Sequence, residues 1–142
     1  MSEIMTESGL CGFAQRLAGQ FRPGDRVCLA GPLGAGKSTL LRTILVKWQI
    51  EAATPFSSPT FSLLNQYQTH LGLVNHADLY RLSSMDELVQ SDLLTELSRP
   101  DSVNFVEWGD KFPELKSFFN KFVHIDYVPG DLQARIYRLA VC

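Results

Sequence analysis

The run Gly31-Pro32-Leu33-Gly34-Ala35-Gly36-Lys37-Ser38 constrains this chain more than any other feature. It satisfies G-x-x-x-x-G-K-[ST], in which glycines let the backbone close around phosphate oxygens at angles that a Cβ forbids. Amide N–H groups gathered at the start of a helix, where the helix dipole is positive, then bind the anion. In such a loop Lys37 reaches the β and γ phosphates, and the Ser38 hydroxyl is a ligand of Mg²⁺. A chance glycine-rich turn lacks the flanks that this motif needs, a strand before it and a helix after it. Here both are expected. Val27, Cys28, Leu29 and Ala30 form a short apolar run that reads as a buried strand. Leu40, Leu41, Ile44, Leu45 and Trp48 recur on one helical stripe, which predicts a helix over about 37–48.

The remaining pattern fills out an α/β chain. Leu10, Phe13, Ala14, Leu17, Ala18 and Phe21 predict an amphipathic helix over about 7–20, broken by Arg22-Pro23-Gly24-Asp25. Residues 51–59, rich in Ala, Ser, Thr and Pro, read as a loop. A hairpin is expected from strands over 60–67 and 73–77, with its turn at His70-Leu71-Gly72. Leu88, Val89 and Leu93 suggest one helix over 85–97, followed by a buried strand over 103–106. A terminal hairpin turns at Pro129-Gly130-Asp131. Helices interleaved with short apolar strands predict a single three-layer α/β domain over 1–142, a P-loop NTPase fold with a mostly parallel central sheet and antiparallel hairpin additions.

A loop that binds nucleotide phosphates needs an acid to complete the Mg²⁺ site, usually at the end of a buried strand. Two segments offer one: Val103-Asn104-Phe105-Val106-Glu107 and Leu73-Val74-Asn75-His76-Ala77-Asp78. Spacing alone does not decide which acid is nearer the metal. Ser58-Pro59-Thr60 falls between loop and acids, where many NTPases carry a segment that senses the γ-phosphate. His76, two residues before Asp78, reads as a hydrogen-bonded structural imidazole rather than a base. Cys28 and Trp48 read as core. The base pocket is not legible beyond a suggestion of Thr6 and the segment 132–135.

Composition narrows the partners. Thirteen Lys and Arg against fifteen Asp and Glu give a net charge of −2, which disfavours a chain devoted to gripping nucleic acid. Three scattered cysteines offer neither a disulfide framework nor a zinc pattern. With no long apolar run and no basic, apolar leader at Met1-Ser2-Glu3-Ile4, a soluble cytoplasmic chain without membrane contact is expected.

Four segments in order make the pattern specific: residues 31–39, Ser58-Pro59-Thr60-Phe61, His76-Ala77-Asp78-Leu79-Tyr80-Arg81-Leu82 and Val106-Glu107-Trp108. Together they resemble the bacterial TsaE (YjeE) family, small ATPases required for threonylcarbamoyladenosine modification of tRNA. The resemblance implies that Gly34, Ala35, Gly36, Lys37, Ser38 and Thr39 wrap the phosphates of ATP. It implies Mg²⁺ on Ser38 and Glu107, Asp78 as a second required acid, Thr60 in a switch-like loop and Trp108 as a sensitive neighbour of Glu107. It implies partners too, TsaB and TsaD, with the transfer to tRNA performed by TsaD and any tRNA contact indirect. Pro32 departs from the aspartate usual in the family, and Ser38 replaces the usual threonine while keeping the hydroxyl. Two other functions fit a phosphate loop: a small-molecule kinase, which needs a lid bearing arginines, and a nucleotide-gated binding module with little turnover of its own.

Overall fold

The computed structural model describes residues 2–50 and 63–141. Strands β1 (Ser2–Thr6), β2 (Arg26–Ala30), β3 (Leu64–Thr69), β4 (Gly72–Asp78), β5 (Ser102–Glu107), β6 (Lys121–Val128) and β7 (Asp131–Val141) form one sheet in the order β1-β7-β6-β2-β5-β4-β3. The inner four strands, β6, β2, β5 and β4, run parallel. The outer pairings, β1 with β7, β7 with β6 and β3 with β4, are antiparallel. The sheet is therefore mixed, with as many antiparallel as parallel pairings, rather than mostly parallel. The hairpins add strands at both edges because a tight turn can only return the chain antiparallel.

Alternation along the strands sends side chains to two separate cores. Val27 and Leu29 of β2, Phe105 of β5 and Val123 and Ile125 of β6 pack beneath helices α1 (Glu7–Ala18) and α2 (Lys37–Lys47), against Phe13, Leu17, Leu41 and Ile44. Phe105 stands edge-on to Phe21 at 5.2 Å, a contact worth about 0.5–1.5 kcal/mol beyond its burial. Cys28, Ala77 and Val106 face the opposite side, against Leu88, Leu97, Phe112 and Phe119. The layers are thus helix, sheet and helix.

Two elements differ from expectation. The strand β1 was not anticipated: Ser2-Glu3-Ile4-Met5-Thr6 carries no strong alternation, and its partner is β7, more than a hundred residues away in sequence. The helix expected over 85–97 is two, α3 (Met85–Gln90) and α4 (Leu93–Leu97). Asp92 between them has φ +57°, a left-handed turn that a continuous helix cannot contain. Finally, Ser58, Pro59, Thr60 and Phe61 lie outside the described residues. Among the described residues, no helix is long and apolar enough to cross a membrane.

Candidate functional site

The site forms where the parallel strands end. In open α/β sheets the crevice beyond the carboxyl ends of the strands is the ordinary place for a ligand. Here β2 runs directly into the glycine-rich loop, and α2 leaves it at Lys37. Two glycines are needed for different reasons. At Gly31, φ is +153° and a Cβ would collide with the Ile125 carbonyl oxygen of β6. At Gly36, φ is +106° with open space around it, so only the backbone angle demands glycine. Within the loop, the Ala35 amide donates to the Pro32 carbonyl at 3.1 Å. Pro32 thus contributes through its oxygen, and its missing N–H removes none of the bonds that shape this turn.

The terminal hairpin braces the loop from outside. Tyr127 donates its hydroxyl to the Leu33 carbonyl at 2.9 Å, and Arg135 donates Nε–H to the Ala35 carbonyl at 3.2 Å. The Arg135 guanidinium also stacks 4.5 Å from the Tyr127 ring centre. Sequence reasoning gave Tyr127 no role, and the only signal it left was an aromatic near a turn.

Lys37 is the first residue of α2 and only 5% exposed. Its ammonium donates to the carbonyls of Gly31 (2.6 Å) and Pro32 (3.2 Å) and lies 4.1 Å from the centre of the Trp108 ring. Burial lowers its pKa, against the opposing pull of Glu107, Asp110 and Asp78. Ser38, one residue on, donates its hydroxyl to the Glu107 carboxylate at 3.1 and 3.3 Å. These two side chains, 69 positions apart, meet because β2 and β5 are neighbours and Leu29 is in register with Glu107.

Glu107 is 4% exposed and also accepts a hydrogen bond from His76 Nε2 at 2.6 Å. Asp78, the last residue of β4, is in register with Glu107 across the sheet. Its Oδ1 accepts the Tyr80 amide at 2.9 Å. Burial raises the Asp78 carboxyl and the Glu107 charge adds to that, against the lowering effects of the Tyr80 amide, His76 and Lys37. Trp108 follows with φ +63° and packs 5.2 Å from Tyr80, so the chain turns sharply just beyond the acid. The question of which acid is nearer the serine is answered by geometry: Glu107 touches it.

The loop separates two clefts. One, of about 300 Å³, is lined by Leu33, Gly34, Gly36, Lys37, Ser38, Thr39, Asp78, Glu107 and Trp108. The other, of about 250 Å³, shares Gly34, Gly36 and Thr39 and adds Ala35, Met5, Leu10, Leu132, Gln133, Arg135 and Tyr137. Of the candidates from the sequence, Gly34, Gly36, Lys37, Ser38, Thr39, Asp78, Glu107 and Trp108 line the first cleft and Ala35, Leu132, Gln133 and Arg135 the second. Thr6 and Ala134 line neither, and Thr60 lies outside the described residues.

The donors fit a hard divalent cation. A serine hydroxyl and a carboxylate at hydrogen-bond distance are the oxygen ligands that Mg²⁺ takes, together with water and substrate phosphates. Among the described residues no group of three or more His, Cys, Asp or Glu side chains could hold an ion unaided. Such a cage is not what Mg²⁺ uses beside a nucleotide.

Comparison with known proteins identifies the family. A family model described as "Threonylcarbamoyl adenosine biosynthesis protein TsaE" matches residues 4–136. Proteins named tRNA threonylcarbamoyladenosine biosynthesis protein TsaE are similar along most of the chain. That of Rickettsia bellii is 37% identical over 79% of this chain and 76% of its own. That of Aquifex aeolicus is 36% identical over 78% of this chain and 79% of its own. That of Streptomyces coelicolor is 39% identical over 89% and 85%. Among solved structures, the crystal structure of Bacillus subtilis YdiB superposes with a TM-score of 0.63 over 100% of this chain and 86% of its own, at 20% identity, which speaks for the fold. On the matched span and these identities, the chain belongs to the TsaE family.

Proposed function

We propose that this chain binds Mg²⁺-ATP on a P-loop NTPase fold and hydrolyses it in the service of tRNA threonylcarbamoyladenosine synthesis, acting in the cytoplasm with TsaB and TsaD. The observation that carries the reading is the contact of Ser38 with Glu107 beside a glycine loop, with Asp78 in register. The N–H groups at the start of α2 and the Lys37 ammonium bind the phosphates. Lys37 exchanges its contacts with the Gly31 and Pro32 carbonyls for phosphate oxygens of higher charge. Ser38 and Glu107 hold Mg²⁺, which when bound neutralises charge on the β and γ phosphates. Asp78 orients the attacking water by accepting its hydrogen bond. The second cleft, with Met5, Leu10, Leu132 and Tyr137 in its wall, receives the base and sugar. The role proposed for Thr60 is to sense the γ-phosphate.

Turnover is expected to depend on partners. Among the described residues, the cleft around Lys37, Asp78 and Glu107 is lined by no arginine. The charge that an arginine finger neutralises in the transition state must then be met from elsewhere. That feature also favours the second reading, a nucleotide-gated module whose affinity for TsaB and TsaD is switched by ATP. Hydrolysis is to be measured for the purified chain alone and with TsaB and TsaD, beside Lys37→Ala and Glu107→Ala. Partner-dependent turnover that both substitutions reduce at least about 100-fold is the expected outcome. Nucleotide binding without hydrolysis in any mixture would leave the gated module standing. Phosphorylation of an added acceptor would favour the kinase.

A further inference from the structure

We infer that His76 is a positioning residue for the cation site: its imidazole fixes the rotation of the Glu107 carboxylate so that the oxygens of Glu107 and Ser38 converge on one point. The inference rests on the reading that Ser38 and Glu107 hold Mg²⁺.

His76 is 0% exposed and is not part of the lining of the cleft. It stands opposite Phe105, and its ring reaches diagonally to the next residue but one of β5. Val74, His76 and Asp78 share the face of β4 that looks toward α2, which is also the face from which Glu107 meets Ser38. A carboxylate only accepts, so Nε2 carries the proton in the 2.6 Å bond to Oε2. At that length the bond is of the short, charge-assisted kind. The last torsion of a glutamate has no sharp preference of its own, so its hydrogen-bond partners set the orientation of the Glu107 carboxylate. His76 on Oε2 restrains that torsion, with the Ser38 hydroxyl 3.1 Å from Oε2 and 3.3 Å from Oε1. Supporting hydrogen bonds of this sort, one step out from the metal, are worth about 10- to 100-fold in metal affinity.

Glutamine places an amide nitrogen near the position of Nε2, whereas asparagine places it near Nδ1 and falls short of Glu107. The full chain is titrated with a fluorescent ATP analogue, once in excess EDTA and once in saturating Mg²⁺. The ratio of the two affinities isolates the part of binding that the cation supplies. Thermal melts establish that each variant is folded. His76→Asn is expected to lower the ratio about 10- to 100-fold, mainly through the Mg²⁺ arm, while His76→Gln stays within about threefold of the wild type. His76→Asn keeping the wild-type ratio, or His76→Gln losing as much as His76→Asn, would overturn the positioning role and leave the Mg²⁺ site itself untouched. A wild-type ratio of one would instead remove the Mg²⁺ reading, and this inference with it.

Discussion

Gly36→Ala separates backbone strain from steric exclusion inside the phosphate loop. Gly36 has φ +106° and ψ +24°, and an added Cβ would meet no heavy atom within 4 Å. The whole cost is therefore conformational. A non-glycine residue in a sparsely populated positive-φ region costs about 1–3 kcal/mol, so the substitution should lower unfolding free energy by about that amount. Gly31→Ala is the contrast. Its Cβ would overlap the Ile125 carbonyl, backbone of a strand paired on both sides by β2 and β7, so neither partner can retreat. That variant should lose more than Gly36→Ala, beyond about 3 kcal/mol, since overpacking adds to the strain. Urea denaturation of the nucleotide-free chain reads both values, and an unchanged m-value would show that compactness is preserved. Nucleotide affinity, measured alongside, should fall in both variants because the amides at the start of α2 shift. The reasoning is refuted if Gly36→Ala leaves stability within about 0.5 kcal/mol of the wild type, the range of an ordinary surface substitution. It is equally refuted if Gly36→Ala costs more than Gly31→Ala.

Two predictions concern pH. Burial raises the Asp78 carboxyl above its unfolded value, so its favourable contribution is present at low pH and is lost as pH rises through the folded pKa. Asp78→Asn, whose Oδ1 can still accept the Tyr80 amide, should therefore raise the melting temperature at pH 7 by about 2–4 °C, with the gain shrinking as pH falls into the carboxylate range, while turnover is lost. Asp25 behaves oppositely. Burial alone would raise its carboxyl, but hydrogen bonds from Lys121, Asn120 and the Arg22 amide outweigh that and hold it below the usual range. Its stabilisation is present above the unfolded pKa and disappears as pH falls through the folded one. Lys121→Met, which removes the 2.6 Å ion pair, should cost stability at pH 7 and lose less on acidification than the wild type does, as read by melts from pH 7 to pH 2.

Much of the machinery was legible because it is local. The phosphate loop is a contiguous run whose backbone angles, dipole and side chains are specified by eight neighbouring residues, and the apolar flanks announced β2 and α2. The hairpin of β3 and β4 was readable from its turn, and the strand ending in Glu107 from its apolar run. The break at Asp92 was hidden because Leu88 and Leu93 are five residues apart and both are buried, so burial looked continuous where the backbone is not.

What the sequence by itself determined was the set of groups available: a glycine-rich loop of the G-x-x-x-x-G-K-[ST] pattern, a lysine, a hydroxyl and two strand-end carboxylates. The tertiary structure alone decided how they combine. Strand order put β5 rather than β4 beside β2, so Glu107 reached Ser38 while Asp78 stood one strand further out. Register carried His76 to Glu107, and the return of β7 brought Arg135 to the loop 100 residues earlier. A carboxylate at the end of one apolar strand looks the same as at the end of another, since local pattern records burial and period but not which strands are neighbours. Neighbour choice is made by packing across the whole sheet, where long-range pairing is gained only after the chain has closed on itself.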